Sequence, residues 1–248
     1  MSEVILPNTV VERCSSTNDL ARKLAETGAP HGSWISSQIQ EAGRGRLGRT
    51  WQSGSGNLYL SIVVRIPETR LWTWIPILTG IGASQALNSL FPSASVQVKW
   101  PNDLWCRRGD GYAKLGGILC ESSSHGGNSF GIVGIGINCE SHPEGIGQPA
   151  TSLSEVLQRR ISPDEVRSAV VDGILESLEK LNSKDFSPAL AADIFFRYAV
   201  MTPGTSVKWN KSSGKVTGLG PSGELLVQEE ATGVPASLFA EDVSLQLL

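Results

Sequence analysis

A β-sheet is indicated by the stretch Lys99-Trp100-Pro101-Asn102-Asp103 and by Lys114-Leu115-Gly116-Gly117-Ile118-Leu119, which follows it. The pattern predicts a short strand over 96–100 that ends at Pro101, because proline has no N–H to donate to a ladder. Residues 103–106 and 115–122 predict the two strands of a hairpin. Because the strands of a hairpin are antiparallel, this part of the chain predicts an antiparallel region of sheet.

On either side of this hairpin, the chain alternates between further strands and helices. Strands are predicted over 34–39, 57–65 and 130–138, and helices over 17–27, 76–90, 162–181 and 189–200. Both faces of the 57–65 strand carry apolar residues, which favours an interior place in the sheet. Pro163 suits the first position of its helix, and Glu165 can complete a capping box with Ser162. The order of elements predicts an α+β domain.

The character of the sequence changes at Pro203-Gly204. Short alternating strands divided by glycines follow, over 207–209, 215–219, 225–228, 236–239 and 243–247. This pattern is typical of a small β-barrel. We therefore predict two domains, a larger one over 1–202 and a smaller one over 203–248.

Composition excludes several classes of protein. The 248 residues include 21 Lys and Arg against 24 Asp and Glu, a net charge of −3 that argues against a basic coat for nucleic acid. No apolar run approaches the ~20 residues that cross a bilayer, and the first residues do not match a signal peptide. The four cysteines are too scattered for a disulfide framework, so we expect reduced, mostly buried thiols and a cytoplasmic protein.

The most unusual segment is Gly43-Arg44-Gly45-Arg46-Leu47-Gly48-Arg49-Thr50-Trp51. Its first six residues match the G-x-G-x-x-G dinucleotide pattern, but that pattern requires a helix at once, and Gln52-Ser53-Gly54-Ser55-Gly56 cannot sustain one. An Arg-Gly segment for nucleic acid is a second alternative, although such segments repeat and this one occurs once. The best interpretation is a flexible loop that closes over an anion, since guanidinium groups bind phosphate or carboxylate oxygens in pairs. Residues 43–56 are called the arginine loop below.

Lys114 is a charged residue in an apolar strand. A buried cation is costly unless it is paired, so we expect an anionic partner. Asn102-Asp103 after a proline is often only a turn, and that alternative stays open. The strand Gly134-Ile135-Gly136-Ile137-Asn138 is interrupted by glycines, which predicts the close approach of another backbone or a ligand. The histidines lack metal-ligand spacing, and the absence of a G-x-S-x-G elbow and of a Walker lysine loop disfavours covalent serine chemistry and P-loop hydrolysis.

Together these segments resemble one family, the biotin protein ligases, also called holocarboxylase synthetases. The resemblance is carried in order by Ser16-Thr17-Asn18, the arginine loop, 99–103, 114–119 and 134–138, and it extends to the β-rich C-terminus. It implies a mixed, mainly antiparallel sheet with flanking helices, like a class II synthetase catalytic domain, and a small C-terminal SH3-like β-barrel. It also implies a two-step ligase. Biotin and ATP give biotinyl-5′-AMP, and a lysine of a biotin carboxyl carrier domain then takes the biotin as an amide.

The same resemblance implies roles for residues at matching positions. Biotin would be bound by Ser16, Thr17, Asn18, Gln40, Arg44, Lys114, Gly117 and Gly134. ATP would be bound by Arg46, Arg49, Trp51, Lys99, Asn102, Lys114 and Asn138. The catalytic residues would be Lys114, Arg44, Arg46 and Asp103, with Mg²⁺ near Asp103 and no dedicated protein-only metal site. The implied partner is the carrier domain of a carboxylase, and a homodimer through the catalytic-domain sheet is a further expectation.

Neighbouring classes of protein differ from this sequence in recognisable ways. Regulatory family members carry an N-terminal helix-turn-helix domain, whereas here the Ser-Thr-Asn segment begins at Ser16, so we expect no DNA binding. Lipoyl or octanoyl ligases resemble this fold but generally lack the Gly-Arg-Gly-Arg loop, and they remain an alternative. A non-catalytic biotin-binding module is another, although Lys114, Arg44 and Asp103 argue against it.

Overall fold

A computed structural model of the protein describes residues 6–66, 69–125, 128–183, 186–240 and 245–247. The strands of the first sheet are β1 (Thr9–Cys14), β2 (Trp34–Gln40), β3 (Leu58–Val64), β4 (Gln97–Lys99), β5 (Asp103–Arg108), β6 (Gly111–His125) and β7 (Asn128–Ile137). The helices are α1 (Thr17–Glu26), α2 (Ile75–Leu90), α3 (Leu153–Leu157), α4 (Pro163–Glu179) and α5 (Pro188–Tyr198). The strands of the second sheet are β8 (Ser206–Trp209), β9 (Ser212–Leu219), β10 (Leu225–Glu229), β11 (Pro235–Leu238) and β12 (Leu245–Leu247).

The first sheet has the order β1-β2-β3-β7-β6-β5-β4. Only β1 and β2 pair in parallel among the described strands, and all the other neighbours are antiparallel. The predicted mixed, mainly antiparallel sheet with flanking helices is therefore confirmed, and β3 is an interior strand as expected. Strand β1 and helix α3 were not predicted, because β1 is a half-exposed edge strand and α3 has only five residues.

The two faces of the sheet have different partners because successive side chains of a strand point to opposite sides. On β3, Leu58, Leu60 and Ile62 belong to the main core with residues of α2 and α4. Val63 belongs to a smaller core with residues of α1 on the other face. Tyr59 and Ser61 share the α1 face by the same alternation. The α1 face is the one on which the functional cavity opens.

The start of α4 and both ends of α1 agree with the sequence prediction. The predicted capping box at the start of α4 is present between Ser162 and Glu165. Helix α1 begins at Thr17, and the chain leaves it through Gly28, which has φ of 93°. A left-handed residue of this kind is the usual end of a helix. The N-terminal turn of α1 lies beside the cavity.

The C-terminal strands form a five-stranded antiparallel sheet of order β11-β10-β9-β8-β12. This confirms the expected small all-β unit, in keeping with an SH3-like fold, while residues 243 and 244 of the last predicted strand lie outside the described residues. Two buried indoles anchor it to the first unit: Trp100 Nε1 donates to Gly223 O over 3.0 Å, and Trp74 Nε1 donates to Pro221 O over 2.9 Å. The division of the chain after residue 202 stays a prediction.

Within the described part of the chain, every helix is too short or too polar to cross a membrane. The four cysteines are free thiols, as predicted. Cys106 and Cys139 are buried, whereas Cys14 and Cys120 are only half-buried, so the expectation of mostly buried thiols holds for two of the four.

Candidate active site

A cavity of about 920 Å³ opens on the α1 face of the first sheet. Every residue to which the sequence assigned a role lines it: Ser16, Thr17, Asn18, Gln40, Arg44, Arg46, Arg49, Trp51, Lys99, Asn102, Asp103, Lys114, Gly117, Gly134 and Asn138. These residues come from distant parts of the chain, and the sheet brings them together. Asn102 lies in the turn before β5 and, like Asp103, lines the cavity, so a role of this pair beyond the turn stays a prediction.

The floor of the cavity crosses four adjacent strands, from β7 to β4. Gly136 of β7 is paired with Gly117 of β6, Gly117 with Asp103 of β5, and Asp103 with Lys99 of β4. Three strand spacings amount to about 14 Å. The cavity is therefore long enough for an extended ligand that lies across the strands.

Uncharged hydrogen-bonding groups lie beside β7, at one end of this floor. Gln40 Oε1 accepts from the backbone N–H of Thr17 over 2.8 Å and from its hydroxyl over 3.1 Å. The Ser61 hydroxyl lies 2.7 Å from Thr17 Oγ1 and 2.6 Å from Asn18 Oδ1. The Asn18 amide donates to Glu121 over 2.6 Å, which fixes the orientation of its carboxamide. This end is suited to a neutral, polar ligand group.

Two glycines of β7, Gly134 and Gly136, let other side chains lie directly against the strand backbone. A Cβ at Gly134 would overlap the carboxamide oxygen of Asn18, and a Cβ at Gly136 would lie 2.6 Å from Nε1 of Trp51. The close neighbours at 134–138 are the side chains of Asn18 and Trp51, whereas the sequence predicted another backbone or a ligand there. A side chain at either position would push these groups out of the cavity.

Charged groups lie at the other end of the floor, on strands β4, β5 and β6. Lys114 Nζ is 2.7 Å from Asp103 Oδ1, and the two side chains are only 14% and 15% exposed. This is the anionic partner predicted for Lys114. Lys99 lies 4.9 Å from the centre of the Trp105 ring. Burial lowers the pKa of the Lys99 ammonium, with Lys114 and Arg49 adding to that effect and Asp103 opposing it.

A β-bulge aims Lys114 into the cavity. The pairing of β5 with β6 shifts between Leu104 and Trp105, so that Leu104 faces Gly116 and Trp105 faces Lys114. Beyond the shift Gly117 faces the cavity and Ile118 the core, whereas before it Lys114 faces the cavity and Leu115 the core. One extra residue in a strand exchanges the two faces. The bulge therefore turns the ammonium towards Asp103 instead of into the apolar core.

The arginine loop is a narrow hairpin at its tip. Gly45 N donates to Arg49 O over 2.7 Å, and Trp51 N donates to Gly43 O over 2.9 Å. A single 3₁₀ turn, Arg46–Gly48, closes the tip. Arg46 Nη1 donates to Asn102 Oδ1 over 2.9 Å, and Asn102 Nδ2 donates to Ile118 O over 2.7 Å. These bonds tie the loop to the far wall of the cavity.

Arg44 is paired with carboxylates of the protein itself. Its guanidinium binds both oxygens of Asp19, at 2.7 and 3.0 Å, and lies 3.6 Å from Glu121. Its hydrogen bond is the largest influence lowering the pKa of the Asp19 carboxyl. Arg44 nevertheless lines the cavity, so its predicted contact with a ligand stays a prediction.

The wall is strongly basic although the protein as a whole is acidic. Among the described residues, five basic side chains line the cavity, and Asp103 is the one carboxylate. A concentration of fixed positive charge in a cleft attracts anionic ligands. The cavity thus combines an anion-binding end with a neutral, polar end.

Comparison with known proteins agrees with this geometry. The Biotin/lipoate A/B protein ligase family matches residues 10–138, more than half of the chain. The chain belongs to this family.

Individual relatives in the biotin/lipoate ligase family extend the match. The chain is 31% identical over 214 residues to the biotin–[acetyl-CoA-carboxylase] ligase of Mycobacterium tuberculosis, covering 83% of this chain and 75% of that protein. It is 34% identical over 174 residues to the bifunctional ligase/repressor BirA of Bacillus subtilis, covering 67% of this chain and half of that protein. The structure of a biotin protein ligase from Aquifex aeolicus in complex with biotin and ATP superposes with a TM-score of 0.79 at 28% identity, covering 97% of this chain and 98% of that one.

The sequence analysis missed several residues that contribute to the cavity of this chain. Ser61 and Glu121 orient the Thr17 and Asn18 side chains, and Trp105 lies beside Lys99. Ser61 is a polar residue in an otherwise apolar strand, a signal that could have found it. The 139–150 loop, which contributes Pro143, Ile146 and Gln148 to the wall, was missed altogether. It comes next to Lys114 because Lys114 N donates to Pro149 O and Thr151 N donates to Lys114 O, each over 2.9 Å.

Proposed function

We propose that this chain is a biotin protein ligase, which activates biotin with ATP and transfers it to a lysine of a biotin carboxyl carrier domain of a carboxylase. The observation that carries the proposal is the Lys114–Asp103 ion pair, which lies at the charged end of a single cavity whose other end is neutral and polar. Biotin has the same division: a neutral ring with hydrogen-bonding groups at one end and a carboxylate at the other. Relatives that are named biotin ligases, and the Aquifex aeolicus complex with biotin and ATP, support this assignment.

In this proposal, Thr17, Asn18 and Gln40 bind the biotin ring, with Ser16 and Gly134 beside them. Gly117 lines the channel that the biotin tail follows. The carboxylate then lies near Lys114, with Arg44 at the same wall. ATP is bound by Arg46, Arg49, Trp51, Lys99, Asn102 and Asn138, so that its α-phosphate also faces Lys114.

The first step brings two anions together, because an oxygen of the biotin carboxylate attacks the α-phosphorus and pyrophosphate leaves. Lys114 supplies a fixed positive charge where the new anhydride forms. One preorganised donor of this kind is worth roughly 3 kcal/mol at a transition state. Lys114 is fixed by its bond to Asp103, so little reorganisation is needed during the reaction.

In the second step, the neutral amine of the acceptor lysine attacks the carbonyl carbon of the anhydride, AMP leaves and an amide forms. The amine must lose a proton, and Asp103 is the carboxylate on the cavity wall that can orient or accept it.

Mg²⁺ enters this proposal only with the nucleotide. Among the described residues, no three His, Cys, Asp or Glu side chains are grouped as metal ligands. Asp103, the carboxylate that lines the cavity, already pairs with Lys114. The donor set does not fit a resident metal, so we expect Mg²⁺ to arrive as a counter-ion of the ATP phosphates.

Two further proposals concern the setting of the enzyme. The four free thiols are typical of a reducing compartment, which supports a cytoplasmic location.

A homodimer through the first sheet would use β1, because the outer edge of β4 already bridges to Ala199. Sedimentation of the protein at micromolar concentration tests this pairing.

The proposed activity is tested by exchange of labelled pyrophosphate into ATP. We expect exchange that depends on biotin and does not occur with lipoate or octanoate. Exchange with lipoate or octanoate instead would make the chain a lipoyl or octanoyl ligase. Biotin binding without any exchange would make it a binding module.

We expect Gly134→Ala to weaken the use of biotin. The added methyl group overlaps the Asn18 carboxamide, and overpacking of this kind typically costs about 1–3 kcal/mol. The biotin concentration for half-maximal exchange should rise by about 10-fold or more, with little change for ATP. Gly218→Ala is the matched control, because its methyl group would meet Leu226 at an ordinary 3.8 Å. An unchanged biotin requirement in Gly134→Ala would remove this wall from the biotin site.

A further inference from the structure

Two loops line the cavity, and the end of one is hydrogen-bonded to the start of the other. The arginine loop ends at Gly56, and the 139–150 loop begins at Cys139, shortly after β7 ends at Ile137. Glu140 N donates to Gly56 O over 3.0 Å, so the two bases are joined through their backbones. Both loops line the cavity, through Arg46 and Trp51 on one side and Pro143 and Ile146 on the other.

Asn57 holds the start of the 139–150 loop. Its side-chain oxygen accepts from three successive backbone N–H groups, those of Cys139 at 2.8 Å, Glu140 at 3.2 Å and Ser141 at 3.4 Å. Successive N–H groups that converge in this way form a nest that usually takes an anion. Here a carboxamide fills it, and the residue is only 6% exposed. The direction in which the loop leaves the sheet thus depends on one buried side chain.

Tyr59, two residues after Asn57, holds the end of the arginine loop. The Tyr59 hydroxyl donates to Gly54 O over 2.7 Å. Tyr59 is 1% exposed, and burial raises its pKa to about 12, so the phenol stays protonated and keeps donating. Two buried side chains near the start of β3 therefore hold the two loops: Tyr59 holds the arginine loop at Gly54, and Asn57 holds residues 139–141.

Neither Asn57 nor Tyr59 lines the cavity, so both act through the loops that do. We propose that Asn57 and Tyr59 are positioning residues that set the spacing of the arginine loop and the 139–150 loop, and so retain the activated intermediate between them. The inference rests on the proposed ligase function, since it assigns a role in holding biotinyl-5′-AMP. A reactive anhydride must be kept from water and from other amines until the acceptor lysine arrives.

Tyr59→Phe tests this directly because it removes one hydroxyl and leaves the ring packed. The rate at which preformed labelled biotinyl-5′-AMP leaves the protein, measured by chase with unlabelled adenylate, should rise about 5- to 10-fold. Biotin-dependent exchange at saturating substrates should stay within about 3-fold of the parent, because no group that contacts substrate has changed.

Asn57→Ala tests the second loop. It removes the acceptor of the Cys139, Glu140 and Ser141 N–H groups, so this variant should also release the adenylate faster. Asn57→Asp keeps a side-chain oxygen for these N–H groups and should release the adenylate at close to the parent rate. Because Tyr59 and Asn57 hold different loops, Tyr59→Phe combined with Asn57→Ala should release the adenylate faster than either single variant.

Ser36→Ala is the matched control. The Ser36 residue is as buried as Tyr59, and its hydroxyl donates to the backbone oxygen of Tyr59 over 2.7 Å. Among the described residues, no hydrogen bond joins the Ser36 side chain to either loop. Its adenylate release should equal that of the parent. Equal release from Tyr59→Phe and Ser36→Ala, in a protein that performs biotin-dependent exchange, would overturn the positioning role. Absence of exchange in the unsubstituted protein would instead overturn the proposed function.

Discussion

Lys114→Ala should reduce biotin-dependent exchange of pyrophosphate into ATP by at least about 100-fold. Lys114 is a buried, fixed ammonium at the point where the biotin carboxylate and the α-phosphate must meet. Without it, two anions approach each other with one fewer compensating charge. The exchange rate at saturating biotin and ATP is the measurement, because the loss should appear in turnover as well as in substrate binding. Near-normal exchange would remove Lys114 from the mechanism.

The same substitution leaves Asp103 buried without its partner, which could lower activity through the fold alone. The double variant Lys114→Ala with Asp103→Asn separates the two effects, because it removes both charges and so avoids an unpaired carboxylate. We expect thermal stability to recover in the double variant while exchange stays lost. Recovery of exchange together with stability would show that the pair is structural.

Arg46→Gly should make the protein release biotinyl-5′-AMP about 10- to 100-fold faster. Arg46 joins the arginine loop to Asn102, which is in turn bonded to β6. Loss of this charge-assisted bond lets the loop open while the intermediate is bound. Diffuse biotinylation of bystander proteins, together with adenylate recovered free after gel filtration, is the expected result. Full retention of the adenylate would contradict a closing role for the loop.

Glycine also frees the backbone, so Arg46→Ala is needed to identify the cause. It removes the guanidinium without adding the conformational freedom of glycine, and it should release the adenylate nearly as fast. Arg197→Ala, at an exposed arginine of α5, should release no more than the parent. If only the glycine variant leaks, loop flexibility and not the bond to Asn102 is responsible.

The site could be predicted to the extent that its chemistry is written in residue types at fixed spacings. A lysine in an apolar strand needs an anion, and glycines in a strand need a close neighbour. Asp103 meets the first expectation, while the second is met only in part, because the neighbour at Gly136 is the Trp51 side chain and not a backbone or a ligand. The resemblance to biotin protein ligases supplied the remaining roles, and their residues share one cavity. Arg44 shows the limit of this approach, since its bonds to Asp19 depend on how the loop lies against α1.

The linear chain by itself determined most of the strand and helix order, one antiparallel hairpin and the basic loop, because periodicity, caps and motifs are local properties. The resemblance that those motifs carry implied the family and its mainly antiparallel sheet. Tertiary structure alone decided which face Lys114 occupies, since the bulge that turns it arises from pairing between β5 and β6. It also decided the role of Asn57, whose oxygen binds an N–H group 82 residues away. Contacts of that kind leave no trace in nearby sequence, because each partner is an ordinary residue until the fold closes the distance between them.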